Sequence, residues 1–587
     1  MSELVLNVFE KEFIFNFDDG AYAVEMSLLS ENDGVYEYKL VVNPLIQNPG
    51  LMKLKLAYHM EGFLSTWCPV AGRRRQLDAQ PKRCENISNM YYGAPVYSVI
   101  KHNDQNFSTV ALSDAVNPCK IAFYINDFEE KENLYYVISF FEEWQIESEY
   151  CINIRVDERD IPFYKAIPEV SKWWKRFYPI EKEQSFNAEL PLYSSWYNYH
   201  QNPRQESLLE EMKLASEYGF KSLIVDDGWS YAGRGPGNYT LCGDWHFCDE
   251  KFPDFKDFVK KVHDLGIKVS LWFPVPFVGY STKQHDEFKD MLLYNGSAFQ
   301  AGILDPRYPK VRQFLIDTYV DTVTTYDLDG LKLDFIDAFR CKNEEELCNL
   351  PDIGRDCQRI EDGVIKLMQD VKIRLSTLKP DFMIEQRQYY VGPAVVANCN
   401  MLRVLDCQFD FLTNRIGIAD LRLMNYDLAV HADMLLWSHD ETPQNIAKML
   451  YNIMFGVPQI SVLLKNTNKK QGKVIKNYID YWYKNRKTIL HGEFKAYAPH
   501  MNYTRISSED EEKIIEVLYS ENTLVYDGKK QDVFNATEKD FVIIENLSDA
   551  HFKVRVYDCC GKEMRFRFTK DKLLKINVPV GGYMKIR

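Results

Sequence analysis

Several short stretches of this chain end an apolar run with charged side chains. In "GLKLDF" (330–335), Lys332 and Asp334 stand two residues apart, on one face of a strand. A carboxylate in such a run is costly unless it is paired or at work. "SLIVDD" (222–227) ends in Asp226 and Asp227, followed by Gly-Trp. "FMIEQR" (382–387) ends in Glu385-Gln386-Arg387, and "MLRVLD" (401–406) carries Arg403 and Asp406, with Asp410 just beyond. "VHADMLL" (430–436) holds His431 and Asp433, and Trp272 closes "IKVSLWF" (267–273). Carboxylates accept from hydroxyls, Lys and Arg donate, and indoles pack on CH faces, so the set suits a polyhydroxylated ligand. Two carboxylates on separate strands can also flank a glycosidic bond, one as nucleophile and one as acid/base.

Each residue has a plainer reading. Lys332 and Asp334 could be a structural ion pair. Asp226 and Asp227 could be a helix cap and a loop acid. Glu385 could pair with Lys332 or Arg403 across neighbouring strands, and Trp272 and Trp245 could be packing residues. His431 and Asp433 read as supports. The recurrence of such residues at the ends of most strands favours chemistry.

The elements that would position them follow from hydrophobic pattern. Eight short apolar runs, beginning with "LPLYSSW" (190–196) and ending with "PQISVLL" (458–464), mostly alternate with amphipathic stretches such as "FKDFVKKVHDLG". Eight strands and their helices over about 290 residues match a (β/α)8 barrel, with catalytic residues at the C-terminal strand ends. The segment after the fifth strand is short, so its helix is expected to be missing or irregular. Before the barrel, alternating segments such as "VYEYKLVVNP" and "CINIRVDER" read as β-strands; after it, "DFVIIENLS" and "KINVPVGGYMKIR" do the same. The expected fold is therefore α/β, a central (β/α)8 TIM barrel (176–487). An N-terminal β-sandwich (1–175) and a small C-terminal antiparallel β domain (488–587) flank it.

Composition excludes some functions. A formal net charge of −14 over 587 residues argues against nucleic-acid and anionic-membrane partners. The N-terminal residues lack the pattern of a secretion signal, and no run of about 18 apolar residues exists to span a bilayer. The 13 cysteines form no paired CxxC spacing, which fits free thiols in a reducing cytoplasm. No tight metal-ligand cluster stands out, so neither metal nor cofactor is expected.

"LIVDDGW", "LCGDWHFCDEKFPDFKDFVKKVHDLGIKVSLWFPV", "LDPRYPKVRQF" and "GLKLDF" resemble, in that order, the motifs of glycoside hydrolase family 36, the α-galactosidases and raffinose-metabolism enzymes. The resemblance covers roughly 190–490. It implies Asp334 as nucleophile, Lys332 as a sugar contact, and Asp226 and Asp227 as partners of galactose O4 and O6. It implies Arg403 near O2, Trp245 from the GDW motif, and an N-terminal Trp closing the pocket, here Trp67. Strand 6 departs from the family. Some members place the acid/base four residues after the Arg, and that position is Cys407. Asp406 is one residue short and Asp410 three beyond; Asp406 lies nearer the strand end and is preferred, with Asp410 as competitor. "SSWYNYHQN" also departs from the family's first-strand pattern.

The reading is a cofactor-independent, retaining α-galactosidase acting on a carbohydrate substrate, with homo-oligomerisation open. Two rivals stand beside it. One is another α-glycosidase or a transglycosylase on the same scaffold. The other is a non-catalytic carbohydrate-binding barrel.

Overall fold

The computed structural model describes the chain except residues 1, 60–61, 71–74, 76–84, 126–132, 180–184, 232–236, 341–346, 349–352 and 425. Eight parallel strands form the centre: β1 (Leu192–Ser194), β2 (Ser222–Val225), β3 (Lys268–Pro274) and β4 (Gly330–Asp334), then β5 (Met383–Arg387), β6 (Met401–Arg403), β7 (Ala429–His431) and β8 (Gln459–Ile460). They are hydrogen-bonded in sequence order, and β8 returns to pair with β1. Single bridges, His431 with Val457 and Leu435 with Ile460, link β7 to the β8 side. This is a TIM barrel.

These strands are short and almost wholly buried. A parallel sheet covered by helices on one side and filled on the other leaves no solvent face, so it reads as an apolar run rather than an alternation. Gly330 shows how tight the interior is: a Cβ there would stand 2.4 Å from Ser270 Oγ and 2.6 Å from Met383 Cβ. Helices follow the expected logic. In Phe255–Asp264, Asp254 caps the N-terminus by accepting from the Asp257 amide, and Phe255, Phe258, Val259 and Val262 form the buried stripe. After β5 the connection holds only the four-residue helical turn Pro393–Val396.

An excursion between β3 and β4 was not legible in the sequence. Strands Phe277–Gly279, Leu292–Gly296 and Ala301–Leu304 form a small antiparallel sheet over the barrel mouth side of β3. The N-terminal region is two six-stranded antiparallel sheets, joined to the barrel by helix Phe163–Trp174. The C-terminal region holds a seven- and a three-stranded sheet. Most of its pairs are antiparallel, but Lys513–Leu518 runs parallel to Lys530–Asn535, and Thr523–Tyr526 to Phe541–Asn546. Among the described residues no helix is long and apolar enough to cross a membrane.

Candidate active site

The C-terminal ends of β2 to β7 bring most of the singled-out residues together. Asp334, the last residue of β4, is buried and takes three hydrogen bonds. The Phe335 amide and Arg387 Nε each donate to Oδ1 at 2.7 Å, and Trp272 Nε1 donates to Oδ2 at 3.1 Å. Phe335, directly after Asp334, adopts φ +61°, a left-handed conformation uncommon for a bulky residue. Burial works to raise the Asp334 carboxyl, but Arg387 first and Lys332 second overcome it and hold the group well below the usual carboxylate range.

Lys332 shares the inward face of β4 but does not bond Asp334. Its Nζ donates to Asp226 Oδ2 at 2.8 Å, across two strands. Burial disfavours its charge; Asp226, with Asp334 and Glu385 adding, more than offsets that and raises its pKa. Asp226 is held in turn by Ser195 Oγ, which accepts from its amide at 2.9 Å, and Asp226 Oδ1 accepts from the Asp227 amide at 2.9 Å.

Asp227 is a different kind of acid. Tyr231 OH donates to Oδ1 at 2.5 Å and Gln201 Nε2 to Oδ2 at 2.8 Å. Burial, with Asp226 and Asp334 adding, pushes its carboxyl up to about 6 against those bonds. The loop bearing it is locked from below. Gly228 has φ +96°, and a Cβ there would meet Gln201 Cα at 2.5 Å, so only glycine lets Gln201 come this close. Lys251 of the KFP motif is buried beneath and donates to the carbonyls of Gln201, Gly228 and Tyr231 at 2.7, 2.6 and 2.5 Å. Lys251→Met would strand three carbonyls, and we expect it to cost about 2–4 kcal/mol of stability. A denaturation midpoint matching that of the unsubstituted protein would refute this role.

On the far side, Arg403 of β6 is fully buried and divides itself among three acids. It donates to Asp433 through Nη1 and to Asp406 Oδ1 through Nη2 at 2.8 Å, and its Nε lies 3.5 Å from Glu385 Oε1. Asp433 also accepts from Tyr197 OH at 2.8 Å and from the Cys407 amide at 2.7 Å, so it anchors both Arg403 and the loop after β6. Burial, with Asp406 adding, moves Asp433 up to about 6 despite Arg403. Glu385 is tied to Gln459, which donates to it at 2.7 Å and to His431 Nδ1 at 3.0 Å. His431 donates from Nε2 to the Ala188 carbonyl at 2.6 Å, and burial first, with Arg403, takes its pKa down to about 4. It is a neutral, fixed support.

The two strand-6 acids have separate fates. The Asp406 side chain is 52% exposed beside an Arg403 that is 1% exposed, so it lies at the open surface of the cluster. Burial of its surroundings works to raise its pKa, but Arg403, Arg387 and Lys332 outweigh this and lower it, while Asp334 pulls upward. Asp410 accepts from the Thr413 amide at 2.9 Å and from Thr413 Oγ1 at 2.6 Å. It stands immediately before helix Phe411–Met424 and behaves as its N-cap.

The aromatic residues also divide. Trp272 joins the site through its bond to Asp334, and its ring lies 6.2 Å from Tyr239, near parallel. Trp245 packs 5.0 Å from Phe273 and 6.2 Å from Trp229, and its buried indole N–H has no acceptor among the described residues. Trp67 goes elsewhere: its indole donates to Asp420 Oδ1 at 3.1 Å and to Tyr503 OH at 3.0 Å, buried at the seam of the N-terminal region, barrel and C-terminal region. Tyr92 of the N-terminal region stacks on Tyr389 of the barrel loop after β5 at 5.1 Å. Among the described residues no group of three His, Cys, Asp or Glu side chains is arranged to hold a metal ion.

The sequence profile of the Melibiase family matches residues 166–341, from the helix before the barrel past the end of β4. Through that segment the chain resembles the melibiase family. Alpha-galactosidase 1 of Pediococcus pentosaceus is 29% identical over 162 residues, 26% of this chain and 22% of that protein. The chain thus aligns with about a fifth of the length of that curated relative. In overall fold the likeness is wider. A structure of the family 36 α-galactosidase AgaA from Geobacillus stearothermophilus, bound to 1-deoxygalactonojirimycin, has TM-score 0.63 at 13% identity. It covers 98% of this chain and 83% of its own. The same enzyme bound to raffinose gives 0.62 at 12%, with 98% and 83% covered. The motif resemblance to family 36 is borne out, as is the flanked barrel.

The melibiase segment supplies Asp226, Asp227, Trp245, Trp272, Lys332 and Asp334; β5 to β7 lie beyond it. Not every residue of its motifs reaches the site. Asp305 of "LDPRYPKVRQF" is consumed by Arg307 at 2.8 Å and Arg355 at 3.1 Å. The residue that sequence reasoning passed over is Arg387, which stood at a strand end without a role. A signal was present. β4 and β5 pair in parallel with Lys332 opposite Glu385, which sets Asp334 beside Arg387. K-x-D next to E-x-R is charge-complementary at both positions of that register.

Proposed function

We propose that the chain hydrolyses terminal α-linked galactose from oligosaccharides or glycoconjugates, with retention of anomeric configuration. The observation that carries the reading is the state of Asp334: buried, ionised, and hydrogen-bonded at a barrel strand end, with a second, half-exposed carboxylate on the neighbouring Arg403. In this reading Asp334 attacks the anomeric carbon and Asp406 protonates the departing oxygen. Asp406 then deprotonates the water that releases the sugar, and neither metal nor cofactor takes part. Asp226, Asp227, Lys332 and Arg403 would bind the galactose hydroxyls, and the orphaned Trp245 N–H is a donor that a hydroxyl would satisfy. The relatives named α-galactosidases support the sugar assignment.

The experiment is a panel of nitrophenyl α-glycosides with the product anomer read by NMR. A buried acid aimed at an axial O4 loses its donor when the epimer binds, so kcat/KM for the α-galactoside should exceed that for the α-glucoside by on the order of 10³. Comparable rates on the two would overturn the galactose assignment. A β-galactose first product would overturn retention. Transfer to a sugar acceptor in place of water would move the assignment to a transglycosylase, and binding without turnover to a carbohydrate-binding barrel.

A further inference from the structure

We propose that Arg387 is the positioning residue of the nucleophile. It engages Oδ1 of Asp334 so that Oδ2 is the attacking atom, and it promotes departure of that carboxylate in the second half-reaction. The inference rests on the reading of Asp334 as nucleophile.

A carboxylate oxygen offers two lone-pair sites. Oδ1 fills both, with the Phe335 amide and Arg387 Nε at 2.7 Å each. Among the described residues Oδ2 fills one, with Trp272 Nε1 at 3.1 Å, and keeps the other. The free electron pair of Asp334 is therefore on Oδ2. Arg387 is itself held in place: Nη1 donates to the Gln388 carbonyl at 3.2 Å, and the guanidinium lies 5.7 Å from the Phe335 and Tyr390 ring centres. Lys332, the other nearby cation, is taken by Asp226, so Arg387 makes the direct ion pair with the nucleophile.

The two half-reactions use this pair differently. In the first, the Oδ2 lone pair bonds to the anomeric carbon, and the bond from that carbon to the aglycone oxygen breaks. Its electron pair leaves with that oxygen, which takes the acid/base proton. Oδ1 becomes the carbonyl of a neutral ester. In the second, water oxygen bonds to the anomeric carbon and gives its proton to the acid/base. The bond to Oδ2 breaks, its electron pair returns to Asp334, and negative charge spreads back to Oδ1. A guanidinium binds a carboxylate more strongly than an ester. Arg387 thus restrains attack and favours release, and its removal should slow release most.

The charged and titratable groups around Asp334 are Lys332 on its own strand, Arg387 from β5, Asp227 from β2, Asp406 after β6, and Tyr239, Tyr390 and Asp337. Only Arg387 and Lys332 among them favour the ionised carboxyl. Attack needs that ionised form, so activity falls as pH drops through its pKa. Removing Arg387 raises the pKa and moves the acid limb of kcat/KM upward, toward the ordinary carboxylate range near about pH 4.

The test uses Arg387→Ala and Arg387→Lys in the full chain, with an activated aryl α-galactoside. Arg387→Ala should slow release roughly 10²-fold. This would appear as a burst of phenol and a galactosyl-enzyme seen by intact mass, with the acid limb raised. Added guanidinium should restore release and return the limb, which a misfolded protein would not allow. Arg387→Lys keeps the charge and should shift the limb less. An unmoved limb, or slowing with neither burst nor guanidinium rescue, would overturn the inference. A 2-fluoro-galactoside trap on the unsubstituted protein separates the two claims. Labelling of Asp334 together with an unmoved limb sinks the role of Arg387 alone, whereas labelling elsewhere sinks the nucleophile reading itself.

Discussion

Asp334→Asn is expected to lower turnover of an aryl α-galactoside by a factor on the order of 10⁴ or more. The fold should survive. Asn keeps one acceptor oxygen, which can still receive the Phe335 amide and Arg387 Nε; its NH2 then faces the Trp272 indole, so one of three hydrogen bonds is lost. Two cations, Arg387 and Lys332, lose the neighbouring charge, but each retains another acceptor: Gln388 O for Arg387 and Asp226 for Lys332. The loss should therefore fall on kcat, because an amide cannot form and release the glycosyl ester. A 2-fluoro-galactoside should label the unsubstituted protein on Asp334 and fail to label the variant. Residual turnover within about tenfold of the unsubstituted protein would remove Asp334 from the chemistry.

The barrel and half of its site were readable because the signals are local. A K-x-D strand, a strand ending in Asp-Asp-Gly-Trp, and a Gly-Ile-Lys run into Leu-Trp-Phe each state residue type and side of the strand in a few positions. What depends on register or tertiary approach was not readable. Arg387 became meaningful only through the alignment of β4 with β5. Lys251 looked like part of a loop motif, and its three carbonyl acceptors come from two separate loops. Trp67 failed in the opposite way. An aromatic residue in the N-terminal region can be guessed to close a pocket, but nothing local says that its indole is committed to Asp420 and Tyr503. The antiparallel excursion between β3 and β4 was missed because "FVG", "LLYNG" and "AGIL" are too short to carry a period.

Asp406→Ala should separate the two strand-6 acids by leaving-group dependence. A general acid matters most when a sugar departs and little when an activated phenolate departs. The variant should therefore form its galactosyl-enzyme readily from an activated aryl galactoside, accumulate it for lack of a base, and fail on raffinose-type sugars. Azide needs no deprotonation, so it should restore turnover, and two inversions make α-galactosyl azide the diagnostic product. Asp410→Ala should keep turnover and lose helix stability, about 1 kcal/mol, because its carboxylate caps Phe411–Met424.

The charge arrangement would give Asp406 a route between the two roles proposed for it. In the unliganded protein the cations Arg403, Arg387 and Lys332 lower its pKa, while ionised Asp334 raises it. With Asp406 as the proposed acid, its protonated form is required, so kcat/KM should decline as pH rises through that lowered pKa, placing the maximum no higher than the ordinary carboxylate range. Once Asp334 is an ester its charge is gone, the upward pull on Asp406 ceases, and its proton is held less tightly when a base is needed. If azide instead rescues Asp410→Ala, and Asp406→Ala is unaffected or inert on every substrate, the acid/base lies further along the loop and this charge cycle does not operate.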